Sequence, residues 1–333
     1  MLPSPLVSII LVSWNSAEHL PRCLDSLSQQ TFRNFEIIIV DNGSSDQGLD
    51  ALQQNYLELD LRIERLASNQ GFAVANNIGA RLARGKWLAL LNADAFPRPD
   101  WLEKLLHAAY RHPEFSFFSS RQLQFAQPDI LDGAGDEYHI SGLAWRRFYN
   151  HPAQQYGLQE DEVFSACAAA AIYNREDFLE VGGFDESFFA YFEDVDLSFR
   201  LRLAGGRCLY VPEAEVCHVG SASSGKTSDF VMYHGHRNLV WTFFKNMPGS
   251  LFWWYLPLHI GMNFFFGISF LLKGRGSAVL RAKFDAFYHL PAIIRERRQI
   301  QETRKISVRD LLKVMNRGLF APYWALRRRA KRI

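Results

Sequence analysis

The sequence predicts an α/β protein: a doubly wound, mostly parallel sheet followed by a C-terminal helical region that associates with membranes. Three observations predict it. Uniformly apolar runs alternate with segments of helical spacing through the first third of the chain, the pattern of strands covered on both faces. A composition 48% hydrophobic and 22% charged belongs to a globular chain and excludes a disordered one. A stretch without Asp, Glu, Lys or Arg, residues 251–272, then precedes an Arg-rich tail.

The elements follow in order. Residues 5–13 form an apolar run expected as the first strand, and 17–29 carry Leu20, Leu24 and Leu27 on one helical face. A second strand over 35–40 runs into the turn-rich Asp41-Asn-Gly-Ser-Ser-Asp. A third strand over 61–66, a helix over 72–83, a fourth strand over 87–91 and a helix over 100–111 complete a β-α-β-α series. Such Rossmann-like sheets bind ligands outside the carboxyl ends of their strands, where Asp41, Asn69 and Asp94 fall. The middle of the chain mixes short strands with a small-residue stretch, Ser165-Ala-Cys-Ala-Ala-Ala-Ala. Helices are expected over 175–181, ending at Gly182-Gly183, and over 194–204.

Residues 188–196, Phe-Phe-Ala-Tyr-Phe-Glu-Asp-Val-Asp, carry the strongest chemical signal. Aromatic surroundings raise the free energy of a carboxylate and make it a better base. The helix that starts there acts the other way, favouring ionised acids at its N-terminus. Asp94 ends an apolar run upstream and His218 follows a strand-like segment downstream. Acids and a histidine at strand ends suggest a metal-assisted site with its own base. The competing readings are ordinary ones. Asp94 could be a loop acid, Asp41 a turn residue, Glu193 and Asp194 helix caps, and His218 structural.

Charge is unevenly distributed. From Lys273 to Ile333 there are 17 Lys and Arg against 4 Asp and Glu, a segment of +13, while the rest of the chain carries −11. Such a tail meets polyanions. No nucleic-acid-binding motif accompanies it, so anionic lipid is the expected partner and nucleic acid is not. The four cysteines lack metal-type spacing and read as buried thiols of a reducing compartment. No signal-peptide pattern opens the chain, so the protein is expected at the cytoplasmic face of the inner membrane, peripheral or monotopic.

The segments Val7–Asn15, Val40–Asp46, Asn69-Gln-Gly-Phe-Ala-Val-Ala-Asn-Asn, Leu91-Asn-Ala-Asp, Gly182-Gly-Phe-Asp-Glu, Phe192-Glu-Asp-Val-Asp-Leu and Val211-Pro through His218 occur in a telling order. Over roughly residues 5–245 the chain resembles family-2 glycosyltransferases of the A-type nucleotide-diphosphosugar fold, closest to the rhamnosyltransferase-like branch. The resemblance implies a catalytic domain over 1–245, with a donor half to about residue 112 and an acceptor half beyond it, and a membrane-association region over 246–333. It implies that Asp41 accepts a hydrogen bond from the pyrimidine, that Ser13 and Asn15 line base and ribose, and that Asn69 and Asn77 lie near the nucleoside. Asn92, Ala93 and Asp94 occupy the Asp-x-Asp position, with Asn92 in place of the first acid. Asp94 and His218 would hold Mg²⁺ or Mn²⁺, Asp194 would be the catalytic base, and Glu193 would orient the acceptor. Asp196 is expected to cap or anchor its helix. A loop over 220–225, with Lys226, His236 or Arg237, could close over the diphosphate.

The implied activity is inverting transfer of a sugar, best matched to L-rhamnose from dTDP-L-rhamnose, onto a lipid-linked or polysaccharide acceptor in bacterial surface-glycan assembly. A donor linked to UDP or GDP, a nucleotidyltransferase and a non-catalytic membrane adaptor are the alternatives. No Gly-rich, Arg/Lys-bearing phosphate loop near the first strand supports the nucleotidyltransferase. For residues 251–272, Pro257, His259, Gly261 and Asn263 interrupt the apolar stretch, and a single span would carry the basic tail outward, against the positive-inside rule. Helices lying in the cytoplasmic leaflet are therefore expected, anchored by Trp253, Trp254, Tyr323, Trp324 and the arginines 327–329. A buried hairpin or a homodimer interface is the competing reading.

Overall fold

The structure, a computed structural model, describes residues 4–46, 49, 52–220, 228–272 and 276–330. The loop that was expected to close over the diphosphate, with Lys226, lies outside the described residues beyond Gly220. The chain begins β1 (Val7–Ser13), α1 (Leu20–Ser28), β2 (Phe35–Asp41), a short α2 (Leu52–Asn55), β3 (Leu61–Arg65), α3 (Phe72–Leu82), β4 (Trp87–Asn92), β5 (Ala95–Pro97) and α4 (Trp101–Arg111). It continues through β6 (Phe117–Gln124), β7 (Gln127–Ala134), β8 (Asp136–Tyr138), β9 (Ala144–Arg146), β10 (Asp161–Glu162) and β11 (Ala170–Asn174). Then come α5 (Arg175–Glu180), a 3-10 turn (Glu186–Phe188), α6 (Glu193–Leu203) and β12 (Cys208–His218). The helices α7 (Asp229–Asn246), α8 (Gly249–Leu272), α9 (Gly276–Tyr288), α10 (Leu290–Glu302), α11 (Val308–Val314) and α12 (Ala321–Ala330) end it.

The main sheet has the order β10-β12-β6-β11-β4-β1-β2-β3, with β5 on β12 and β7 on β6. β3, β2, β1 and β4 are mutually parallel, and β12 runs parallel to β6. β11 enters antiparallel between β4 and β6. Alternate residues of the parallel strands point to opposite faces, and both faces are covered. Ile9, Leu11, Ile37 and Ile39 pack with Leu24 and Leu27 of α1 and Trp101 and Leu105 of α4. Ile10, Ile38 and Val40 pack with Ala73 and Ala80 of α3 and Leu197 and Leu201 of α6. α3 comes so close that a Cβ on Gly79 would meet Ile10 Cγ2 at 2.5 Å. Truncating a fully buried residue such as Ile10 to Ala would cost about 2–5 kcal/mol.

Chain order reverses between β1 and β4, and the register levels the strand ends there: Ser13 lies opposite Asp41, and Val12 opposite Asn92. That is where an open α/β sheet binds its ligand. A further core joins α6 to the C-terminal helices, with Val195 and Phe199 of α6 against Phe243, Met247, Leu251 and Leu311. α8 lies along α7 and buries Phe252, His259 and Phe266, seven residues apart, the inner stripe of a helix on a surface. Its outer face, with Trp253, Trp254, Ile260, Phe264, Phe265 and Leu271, is exposed. Among the described residues α8 alone has the length and composition to cross a membrane.

Candidate active site

The ends of β1 and β2 are tied together by loop-to-loop hydrogen bonds. Asn15, at φ 51°, accepts from Ser45 N through its Oδ1 at 2.8 Å and donates its own N–H to Ser44 Oγ at 3.0 Å. Asp41 is buried, and its Oδ1 accepts from Ser44 N at 3.0 Å. Ser13, beside it across β1 and β2, is also buried. Asn42 ties this loop to the next one. Its amide donates to Asn69 Oδ1 (3.0 Å) and Gly71 O (3.2 Å), and its Oδ1 accepts from Gln70 N (2.8 Å). Gly71 (φ 93°) must be glycine, because a Cβ there would lie 2.7 Å from the Phe189 ring. Asn77 stands apart from this group. Its amide donates to Phe184 O and Glu186 Oε1, and its Oδ1 accepts from Phe184 N, so it braces the Gly183–Glu186 segment against α3.

Asp94 and His218 meet as the sequence suggested. His218 Nε2 lies 3.4 Å from Asp94 Oδ1 and 3.4 Å from the Asn92 amide nitrogen, while Ala93 is buried between the two. The other ring nitrogen, Nδ1, is 2.8 Å from Asp132 Oδ2 on β7, and Asp132 also pairs with Arg146. Burial disfavours the imidazolium, but hydrogen bonds with Asp132 and Asp94 outweigh it and raise the His218 pKa to about 9. Burial likewise opposes the charge on Asp132, and Arg146 and His218 overcome it, holding the carboxyl at about 2. A carboxylate behind the far nitrogen fixes the ring and turns Nε2 toward Asp94, the arrangement that orients metal-ligating histidines.

Asp194 stands at the start of α6. Its Oδ2 accepts from Ala168 N at 3.2 Å and its Oδ1 from Val195 N at 2.8 Å. The next residue, Ala169, accepts at its carbonyl from Asn92 N at 3.0 Å. Two adjacent small residues therefore hold the Asn92–Asp94 segment and Asp194 in one frame. Burial raises the pKa of Asp194, against the lowering pull of the Ala168 and Val195 N–H groups and of Arg146. Burial, with Asp194 adding to it, also pushes Glu193 well up, and Glu193 Oε2 is buried with no hydrogen-bond partner among the described residues. Asp136 on β8 belongs to the same group: burial and the Asp194 charge raise it to about 8.

The aromatic segment before α6 is backbone under constraint. Phe189, Tyr191 and Phe192 all have positive φ, at 64°, 68° and 67°. Non-glycine residues hold such angles only where surroundings impose them. Asn238 of α7 donates to the carbonyls of Phe188, Ala190 and Tyr191, and Arg237 to those of Ser187 and Phe188. Phe189 O in turn accepts from Phe72 N at the start of α3. Asp196 anchors α6 from beneath: it is fully buried and pairs with Arg200, Lys245 and Asn246.

Among the described residues, two places could hold a cation. Asp94 and His218 Nε2 converge with a fixed imidazole and an acid whose pKa is lowered, burial notwithstanding, by His218. This oxygen–nitrogen pair leaves most positions to phosphate oxygens and water, which fits Mg²⁺ or Mn²⁺ beside a diphosphate. Asp136, Cys167 and Asp194 also bring ligand atoms within 4.8 Å of one another. Burial pushes the Cys167 thiol up to about 12 and Asp136 to about 8, so a metal would have to displace two protons from that set, against the one that His218 holds beside Asp94. The first site is the better fit.

The profile of glycosyl transferase family 2 matches residues 8–182. The chain belongs to that family. It is 29% identical over 280 residues to the N-acetylglucosaminyl-diphospho-decaprenol L-rhamnosyltransferase of Mycobacterium tuberculosis, a match covering 76% of this chain and 88% of the relative. Staphylococcus aureus TarS 1-349 in complex with UDP-GlcNAc superposes with a TM-score of 0.58 at 16% identity, covering 89% of this chain and 90% of the other. GalNAc-T7 with UDP, GalNAc and Mn²⁺ gives 0.59 at 20% identity, over 73% of this chain and 48% of that one. These similarities fix the glycosyltransferase A-type fold. The sequence reading of this family member overlooked Asn42, Asp132, Asp136 and Arg146. A visible signal was the Asp132-Gly-Ala-Gly-Asp136 run, two acids in a glycine-rich strand end.

Proposed function

We propose that this protein is an inverting glycosyltransferase that moves L-rhamnose from dTDP-L-rhamnose to a lipid-linked saccharide, at the cytoplasmic face of a membrane, in surface-glycan assembly. One observation carries the catalytic part: Ala168 and Ala169 hydrogen-bond Asp194 and the Asn92–Asp94 segment into one frame. A base and a diphosphate-side acid held by adjacent residues suit displacement across a single anomeric carbon. Likeness to the mycobacterial rhamnosyltransferase supports the choice of donor and of a lipid-linked acceptor.

The residues divide the work. Asp41, Ser13, Asn15 and Asn69 receive the nucleoside at the ends of β1 and β2. Asp94 and His218 hold the diphosphate end, where a bound Mg²⁺ or Mn²⁺ would supply the positive charge that stabilises the leaving nucleoside diphosphate. Asp194 takes the proton from the acceptor hydroxyl as its oxygen attacks the anomeric carbon from the face opposite the departing phosphate, which inverts the centre. Glu193, its pKa raised by burial, orients the acceptor. The outward apolar face of α8 rests on the membrane and brings the site to its lipid-linked acceptor.

Thermal stabilisation by dTDP-rhamnose, UDP-sugars and GDP-sugars, each with and without Mn²⁺, tests this. Selective, Mn²⁺-enhanced stabilisation by dTDP-rhamnose is expected. Stabilisation by a UDP- or GDP-sugar instead would reassign the donor. None by any of them would favour a membrane adaptor.

A further inference from the structure

Where α10 passes the start of α8, Arg297, Arg298 and Arg304 line an open cavity of about 430 Å³ together with Gly249, Ile294 and Gln301. Arg297 is fixed in place: it donates to Phe244 O at 2.9 Å, and its guanidinium lies 4.6 Å from the centre of the Phe252 ring. Arg298 and Arg304 are exposed. Three guanidiniums around one cavity repel each other unless an anion sits among them. Gly249 opens a 24-residue helix whose first turn has no acid, so the helix end adds positive potential to the same place. The acids nearby on α10 do not cancel it. Glu296 is drawn toward Lys245, 3.9 Å away, and Glu302 is a single charge among the arginines.

The position of the cavity identifies the anion. Trp253 and Trp254 follow within about 8 Å of helix rise and are 71% and 78% exposed. Exposed tryptophans of this kind settle at the level of lipid headgroups. Beyond them the outer face of α8 stays apolar to Leu272, and Phe284, Phe287 and Tyr288 of α9 are exposed as well. A basic cavity thus borders an apolar face at one end, separated from it by interfacial aromatics. Guanidinium pairs readily with phosphate oxygens, and its planar fork suits them geometrically.

We propose that this cavity binds the phosphate headgroup of an anionic phospholipid, fixing how α8 lies on the bilayer and hence the orientation of the catalytic cleft. The inference rests on the reading that α8 contacts a membrane. The test is co-sedimentation of the full chain with vesicles of phosphatidylcholine, alone or mixed with phosphatidylglycerol. The R298Q/R304Q variant is compared with a control, R309Q/R317Q, that removes two exposed charges elsewhere in the basic segment. The expected result is wild-type thermal stability for both variants and a loss of about tenfold or more in phosphatidylglycerol-dependent binding for R298Q/R304Q alone. Equal losses in the two variants would mean diffuse attraction and overturn the site, as would unchanged binding of R298Q/R304Q. Saturable tryptophan quenching by inorganic pyrophosphate without vesicles, lost in R298Q/R304Q, would assign the cavity to a soluble diphosphate and overturn the lipid headgroup. Failure of the wild type to bind either vesicle would remove the membrane reading itself, an outcome distinct from a failure of the cavity alone.

Discussion

His218 joins three strands at a single side chain. It ends β12, faces Asp94 after β4 and is backed by Asp132 on β7. Removing the charge from Asp94 leaves the ring backed but with no anionic partner in front. Asp94→Asn should therefore abolish the Mn²⁺-dependent part of the thermal stabilisation by a nucleotide sugar and leave the metal-independent part. A melting series with and without Mn²⁺ checks it, and an unchanged metal effect would move the cation elsewhere. The positions of Asp94, His218 and Asp194 were legible in the sequence because each lies at or just past a strand end or at a helix start. Asp132, Asp136 and Arg146 come from a meander without usable periodicity and meet only through tertiary packing, so the Asp132-Gly-Ala-Gly-Asp136 run could mark two of them without showing their partners. Asn77 was legible as a polar residue of α3, but its bonds to Phe184 and Glu186 could not be read from spacing.

At the scale of elements, α6 depends on α7. Lys245 is buried between Asp185, which precedes the aromatic segment, and Asp196, which lies within α6. Lys245→Met would leave buried Asp185 without its cation and Asp196 with Arg200 alone, and should cost about 3–5 kcal/mol, measured by urea unfolding. Burial opposes the charge on Asp185, but Lys245 and Ser187 lower its pKa to about 2. The folded value is thus below the unfolded one. Its contribution, about 2 kcal/mol, is full above roughly pH 4 and is lost as pH falls through about 2. Unfolding midpoints across that range should show this acid loss in the wild type and not in Lys245→Met. The strands and helices up to about residue 112 were legible because their apolar runs and spacings are long. The positive-φ turn at Phe189–Phe192 was not, because neighbouring elements impose it on residues that disfavour it.

For the whole molecule, the division of charge and the apolar face of α8 act together. The acidic catalytic body and the basic C-terminal segment were evident from composition. The antiparallel entry of β11 was not, since an apolar strand does not record its direction. The composition of α8 left a buried hairpin, a dimer interface and a membrane face open, and its exposed outer stripe favours the last two. Trp253→Glu combined with Phe264→Glu should release the protein from vesicles while leaving donor-dependent stabilisation intact. Retained sedimentation would exclude α8 as the anchor. The central claim is that Asp194 is the base in a site whose donor half stands without it. Donor binding and sugar transfer measured side by side on Asp194→Asn test this most directly. Transfer should fall by about 10²–10⁴-fold with donor affinity essentially unchanged, whereas wild-type transfer by Asp194→Asn would contradict the claim.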